Sequence, residues 1–308
     1  MTKSTGSENL RRAIGEHMER VERKGKQMTD PKYLYKFRSF RDENHMRILT
    51  HNEMFFPSPD KFNDPFDCCI PVSYQNFTRN EFIRYWTDSY KEDSPAISDH
   101  VARERAKNFY KMCRTPEARK VISENQKKIM REVRSNEVGV FSLTANLNSI
   151  LSWSHYADSH RGFCIGFYTG NLKVFLEKSG LPLELGAVNY TKEYPFINAY
   201  KTSMVEKTKR VLQTKSIDWE YENEYRILRI YGANKSLKIP NGIIRRVILG
   251  CQVNPKDKIE MIRILKSRAG RISLFQAKQK EDSFGLRFEL VRYGTKPKED
   301  ARRKVRET

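Results

Sequence analysis

What most constrains this chain is a change of hydrophobic period partway along it. Runs such as Tyr33-Leu34-Tyr35-Lys36-Phe37-Arg38 and Val138-Gly139-Val140-Phe141-Ser142-Leu143 are short and rich in apolar residues, the first alternating. They read as strands, whose successive side chains point to opposite faces. Between them, from about Thr78 to Ser135, apolar residues fall at helical spacing on charged segments: Phe82, Ile83, Tyr85 and Trp86, then Val101 to Met112, then Pro116 to Val133. Further strands are expected at Met54 to Phe56, Gly162 to Phe167, Val188 to Tyr190, Tyr221 to Ile230, Ile243 to Leu249, Ile272 to Gln276 and Leu286 to Tyr293. Helices are expected at Glu43 to His51, Ile150 to Tyr156 and Tyr200 to Thr214, and from Pro255, capped by Asn254, to Ser267. No strand–helix–strand rhythm of a doubly wound sheet is present, so the fold class is α+β with an inserted helical block. The expected organisation is a loosely docked or flexible arm over residues 1–30, a single domain over 31–294 with its insertion at 78–135, and a disordered basic tail over 295–308.

Charge bounds the partners. The 308 residues carry a formal net charge of +20, and 38% apolar with 11% aromatic residues suits a folded protein. Such a charge speaks of partners and solubility rather than of fold, and points to a polyanion such as nucleic acid; a solvated basic surface or ribosome association would also account for it. The cations run through the arm, the helical block and the C-terminal third, which suits a surface that gathers substrate around a site. Without a helix-turn-helix or zinc finger, single-stranded RNA stands ahead of duplex DNA. No stretch nears the roughly 18 apolar residues of a spanning helix, and residues 1–30 lack the apolar region of a signal peptide. The five cysteines are scattered without a CxxC pair, so a reducing, cytoplasmic setting is expected, with neither a disulfide framework nor a zinc site. Walker, GxGxxG and HExxH patterns are absent, and no metal is expected.

Three constellations could carry chemistry. In Trp219-Glu220-Tyr221-Glu222-Asn223-Glu224-Tyr225-Arg226, a strand would put Glu222, Glu224 and Arg226 on one face, with two repelling acids and an arginine to offset them; a solvated, charge-laddered strand is the plain alternative. Phe141-Ser142-Leu143-Thr144 with Ser152-Trp153-Ser154-His155-Tyr156 could line a pocket for a stacked ring and a ribose, or Trp153 and Tyr156 could be the inner stripe of a short helix. Lys36 and Arg38, alternating with Tyr35 and Phe37, could hold a diphosphate or guard an edge strand.

The order of these pieces resembles a bacterial family called domain of unknown function 2971. The match runs through Leu34 to Ser39, Glu43-Asn44, Ile48-Leu49, Phe56 to Pro59, Phe62 to Phe66, Gly139 to Leu143, Trp153 to Asp158 with Gly162, and Trp219 to Arg226. More distantly it resembles the ADP-ribosyltransferase fold, whose first strand carries an aromatic and a cation, a middle strand a Ser or Thr, and a late strand a catalytic Glu, often as Glu-x-Glu. Arg38 or Tyr35, Ser142 and Glu222-Asn223-Glu224 stand in that order; Ser142-Leu143-Thr144 replaces the Ser-Thr-Ser triplet. The resemblance implies a split antiparallel sheet core and NAD as co-substrate. It implies Glu224 on the ribose, Glu222 on the acceptor, Lys36 and Arg38 on the diphosphate, Ser142 on the pocket floor, and Trp153 or Tyr156, with His155 nearby, on nicotinamide. The expected function is an NAD-dependent ADP-ribosyltransferase that modifies nucleic acid, as a bacterial toxin or anti-phage effector with an antitoxin or chaperone partner. The rivals are a metal-independent ribonuclease using His155 with Glu222 or Glu224, and a non-catalytic RNA-binding module.

Overall fold

The computed structural model describes residues 30–293, apart from 75–76 and 203. The expected N-terminal arm (Asp30 aside) and the C-terminal tail lie outside the described residues. The described chain forms two compact units from interleaved segments. One comprises Phe55–Ser142 and Leu176–Ser236, the other Pro31–Met54, Leu143–Phe175 and 237–293. The secondary structure is mixed α+β, and the strand pairing is mostly antiparallel.

In the first unit the strands Val138–Thr144 (through Ser142), Glu224–Ile230 and Leu183–Ala187 lie side by side in that order. Arg226 stands opposite Gly186, and Val188 N donates to Glu224 O at 2.9 Å, so Glu224 opens the middle strand. Val138, Val140, Leu228 and Ile230 bury one face against Cys68 and Leu212. The helical block spans Arg79–Asp93, Asp99–Met112 and Pro116–Glu132. Each helix starts where a hydroxyl satisfies an orphan amide: Thr78 in a reciprocal capping box with Glu81, Ser98 bonding Val101 N, and Thr115 bonding Ala118 N ahead of Pro116. Phe82 is fully buried among Phe77, Trp86, Phe109, Tyr110 and Tyr200, which ties the helices into one aromatic core.

The second unit orders its strands Leu286–Val291, Ser273–Gln279, Ile244–Leu249, Phe163–Tyr168, Tyr33–Arg38. Ile244–Leu249 and Ser273–Gln279 run parallel, and the helix Pro255–Ser267 between them supplies the crossover that parallel neighbours require. Tyr33–Arg38 lies antiparallel to Phe163–Tyr168, with Arg38 opposite Phe163. Asp158, Ser159 and His160 follow one another at positive φ (49°, 51° and 66°). The turn is pinned at Gly162, where a Cβ would fall 2.2 Å from Arg38 O.

Two expected elements are displaced. The strand expected from Tyr221 begins at Glu224, because Ile217–Glu222 closes into a 3-10 turn started by Ser216. The helix expected over Tyr200 to Thr214 spans Met204–Leu212, and Thr214–Ser216 instead pairs as a short strand with Asn189–Thr191. The helix Thr169–Lys178 and the strand Leu183–Ala187 were not expected; no turn residues separate that helix from the strand before it.

Candidate functional site

The first unit holds a buried knot of five charged side chains. Arg226, wholly buried, donates from Nε to Glu224 Oε1 (2.8 Å) and from Nη2 to Glu224 Oε2 (2.9 Å), a two-pronged grip on one carboxylate. The same Nη2 reaches Asp67 Oδ2 at 2.6 Å, while Nη1 donates to Leu212 O (2.6 Å) and Cys68 Sγ (3.2 Å). Lys215 Nζ donates to Glu222 Oε2 (2.6 Å) and Glu224 Oε2 (3.2 Å) and lies 3.6 Å from Asp67 Oδ2. The Trp219 ring covers Lys215 at 4.8 Å, and Phe62 stands 5.7 Å from the Arg226 guanidinium. Glu224 is further held by the Ser142 hydroxyl and, through its backbone N–H, by the Tyr190 hydroxyl at 2.8 Å.

Local sequence explains the convergence of the two acids. Asn223 adopts the left-handed conformation (φ 45°, ψ 56°), which Asn tolerates better than most residues. That one reversal ends the turn at Glu222 and opens the strand at Glu224, so both carboxylates meet Lys215 from different backbone elements. They are not, as the sequence suggests, successive residues on one strand face.

Burial alone would raise the Glu224 pKa, but Arg226 beside it, then Lys215 and Ser142, draw it down to about 2. Burial would weaken the Lys215 ammonium, yet Glu224, Glu222 and Asp67 together push its pKa above the ordinary lysine value. The Cys68 thiol is pushed well up by burial, despite Arg226. Asp67, Glu222 and Glu224 against Lys215 and Arg226 give three acids to two bases, a formal charge of −1. A fixed carboxylate in a knot of net negative charge is suited to steadying a cation rather than to accepting a proton.

The expected site residues divide. Ser142, Glu222 and Glu224 come together in this knot. Tyr35, Lys36, Arg38, Trp153, His155 and Tyr156 belong to the second unit. There Tyr35 and Trp153 are core residues, with Tyr156 packed against them. Trp153 is fully buried, its indole N–H on Leu147 O at 2.9 Å and its ring between Phe37 and His160. His155 is exposed and meets Tyr156 edge-on. Lys36 and Arg38 alternate with the buried Tyr35 and Phe37. Burial lowers the Arg38 pKa to about 10 against the pull of Asp42, and burial, followed by Arg38, lowers His45 to about 4.

Asp67, Lys215, Cys68 and Tyr190 escaped the sequence reading. Asp67 follows the turn Asn63-Asp64-Pro65-Phe66 and meets Arg226 from 159 positions away, a separation at which no local pattern operates. Among the described residues no helix is long and apolar enough to cross a membrane. No curated protein and no solved structure matches this chain. One family model does: it carries the description "Protein of unknown function (DUF2971)" and matches residues 152–227, the segment that supplies Lys215, Glu222, Glu224 and Arg226.

Proposed function

We propose that the protein is an NAD-dependent ADP-ribosyltransferase acting on nucleic acid, RNA ahead of duplex DNA, with its chemistry at Glu224 and Glu222. The observation that carries this reading is the meeting of Ser142, from one strand, with Glu224 at the head of the neighbouring strand. Glu222 joins them on the shared Lys215. In the reaction the bond from ribose C1′ to the nicotinamide nitrogen breaks and nicotinamide leaves with the electron pair. The sugar becomes an oxocarbenium cation, and an acceptor lone pair bonds C1′ while its proton passes to Glu222. A carboxylate with a pKa of about 2 is anionic throughout the physiological range and stabilises that cation without needing to move a proton. Ser142 holds its orientation. The roles of Lys36 and Arg38 on the diphosphate, and of Trp153 or Tyr156 on nicotinamide, rest on the resemblance alone. Action as a toxin or defence effector with a neutralising partner follows from the same resemblance.

A second reading has one observation in its favour. Glu224 is 5% exposed and both its oxygens are held by Arg226, which also suits a sealed structural knot in a non-catalytic RNA-binding module. Release of free nicotinamide from NAD, with RNA present, separates the two. The transferase reading expects release by the wild type and a loss of at least ~100-fold in Glu224→Gln, the scale of losing one electrostatic stabiliser. No release by folded wild type would favour the binding module, and equal release by both proteins would remove Glu224 from the chemistry.

A further inference from the structure

We propose that a cavity in the first unit, beside the helix Pro116–Glu132, is a binding site for one unstacked nucleotide of a single-stranded RNA. The cavity has a volume of about 290 Å³. That lies at the small end of the roughly 300–1,000 Å³ of small-molecule pockets, room for a base with its sugar rather than for a dinucleotide. Its walls are apolar, with Ile70, Val72, Val133 and Val211 among them, whereas its basic groups, Lys127, Arg131 and Arg134, come from one stretch of chain. Lys127 and Arg131 are exposed and one helical turn apart, hence on one face. The π-turn Val133–Glu137 then carries Arg134. Apolar walls with cations from one stretch of chain match a base attached to a phosphate better than a neutral ligand or a bare anion.

Two further observations bear on the occupant. Arg134 donates from Nη1 to Cys68 O (3.1 Å) and Cys69 Sγ (2.6 Å), but its Nε is buried with no hydrogen-bond partner among the described residues. A buried guanidinium N–H left without an acceptor is costly, which marks the Arg134 side chain at the cavity wall as the group that gains most from a rearrangement toward an acidic oxygen. Large exposed aromatics also stand beside Cys69: Phe66, 66% exposed, closes a turn with it, and Tyr194, 55% exposed, has its hydroxyl within electrostatic reach of Cys69 and Asp64. Exposed rings next to a basic-edged cavity give stacking surfaces for flanking bases, the pattern of single-strand binding, which a lone small acid would not need. The proposal takes RNA from the function above but not its NAD chemistry.

The test uses the full-length protein without NAD and a short fluorescein-labelled single-stranded RNA. Affinity is followed by anisotropy across a salt series, and iodoacetamide labelling of Cys69, which lines the cavity, by peptide mass spectrometry. Saturating RNA should protect Cys69 at least several-fold. The double variant Lys127→Gln/Arg131→Gln, on an exposed helix face that folding does not depend on, should lower the slope of log K against log salt by about 1.4, or 0.7 per lost phosphate contact. Met130→Trp, which narrows the cavity, should weaken binding while leaving most of that slope. Unchanged Cys69 labelling under saturating RNA, or equal affinity for the duplex of the same sequence, would overturn the proposal whether or not Glu224 acts on NAD.

Discussion

Arg226 is the side chain on which the buried knot depends, since it satisfies Glu224, Asp67 and the Leu212 carbonyl at once. Arg226→Leu leaves three buried carboxylates with Lys215 as the one cation among them and should cost about 3–5 kcal/mol, read as a lower urea midpoint with unchanged m-value. The pairing of Glu224 with Arg226 was legible, because residues two apart on a strand share a face. That Asp67 and Lys215 complete the knot was not, because tertiary folding alone brings them there. Acid should act through Glu224. Its folded pKa, about 2, lies below the unfolded value near 4.3, so the carboxylate's contribution is full above the unfolded value and is lost as pH falls from there through 2. Chemical denaturation at pH 7, 4 and 2.5 checks it: stability should drop across that window in the wild type and drop less in Glu224→Gln. Lys207 shifts stability in the same direction with pH, over an alkaline window, but as a buried cation it weakens the fold at neutral pH. Burial lowers its pKa to about 8 with only Glu92 opposing, so unfolding takes up a proton between about 8 and 10.5, and stability gains from this group as pH rises through that range. Lys207→Met should therefore raise the unfolding free energy at pH 7 by on the order of 1–3 kcal/mol, read as a higher urea midpoint with unchanged m-value.

Among the elements, those with chemical punctuation were readable. The helices of the block begin at Thr78, Ser98 and Thr115, where the sequence places a capping hydroxyl before a charged amphipathic run, and Asn254-Pro255 marks the start of the crossover helix. Where a turn is made by backbone conformation rather than by Gly or Pro, the reading slipped. Asn223 is the main case, because a strand assignment carried through it merged two elements into one. Its left-handed φ makes a specific demand: Asn223→Val should cost about 1–2 kcal/mol and Asn223→Gly much less, in the same urea assay. If Glu222 and Glu224 act together, Asn223→Val should also lower nicotinamide release more than its stability loss explains, since it moves one acid relative to the other. In the second unit, Gly162→Ala should fail to fold or lose several kcal/mol, because its Cβ would meet Arg38 O at 2.2 Å, a backbone atom that cannot step aside.

For the whole molecule, the formal charge of +20 is a matter of partners and solubility rather than of fold. The α+β class and the inserted helical block were visible in the switch of hydrophobic period, whereas the interleaving of two units was not, since it depends on which strands pair across long sequence gaps. The proposed chemistry lies in one of these units, at a knot made with three residues the sequence singled out (Ser142, Glu222, Glu224) and two it passed over (Asp67, Lys215). The most direct test of that chemistry is transfer of radiolabelled ADP-ribose from NAD to RNA, DNA and protein, by wild type and by Glu224→Gln of matched circular dichroism. The account predicts label on RNA with the wild type and none with the variant. Equal labelling by both proteins, or no label on any acceptor from folded wild type, would contradict it.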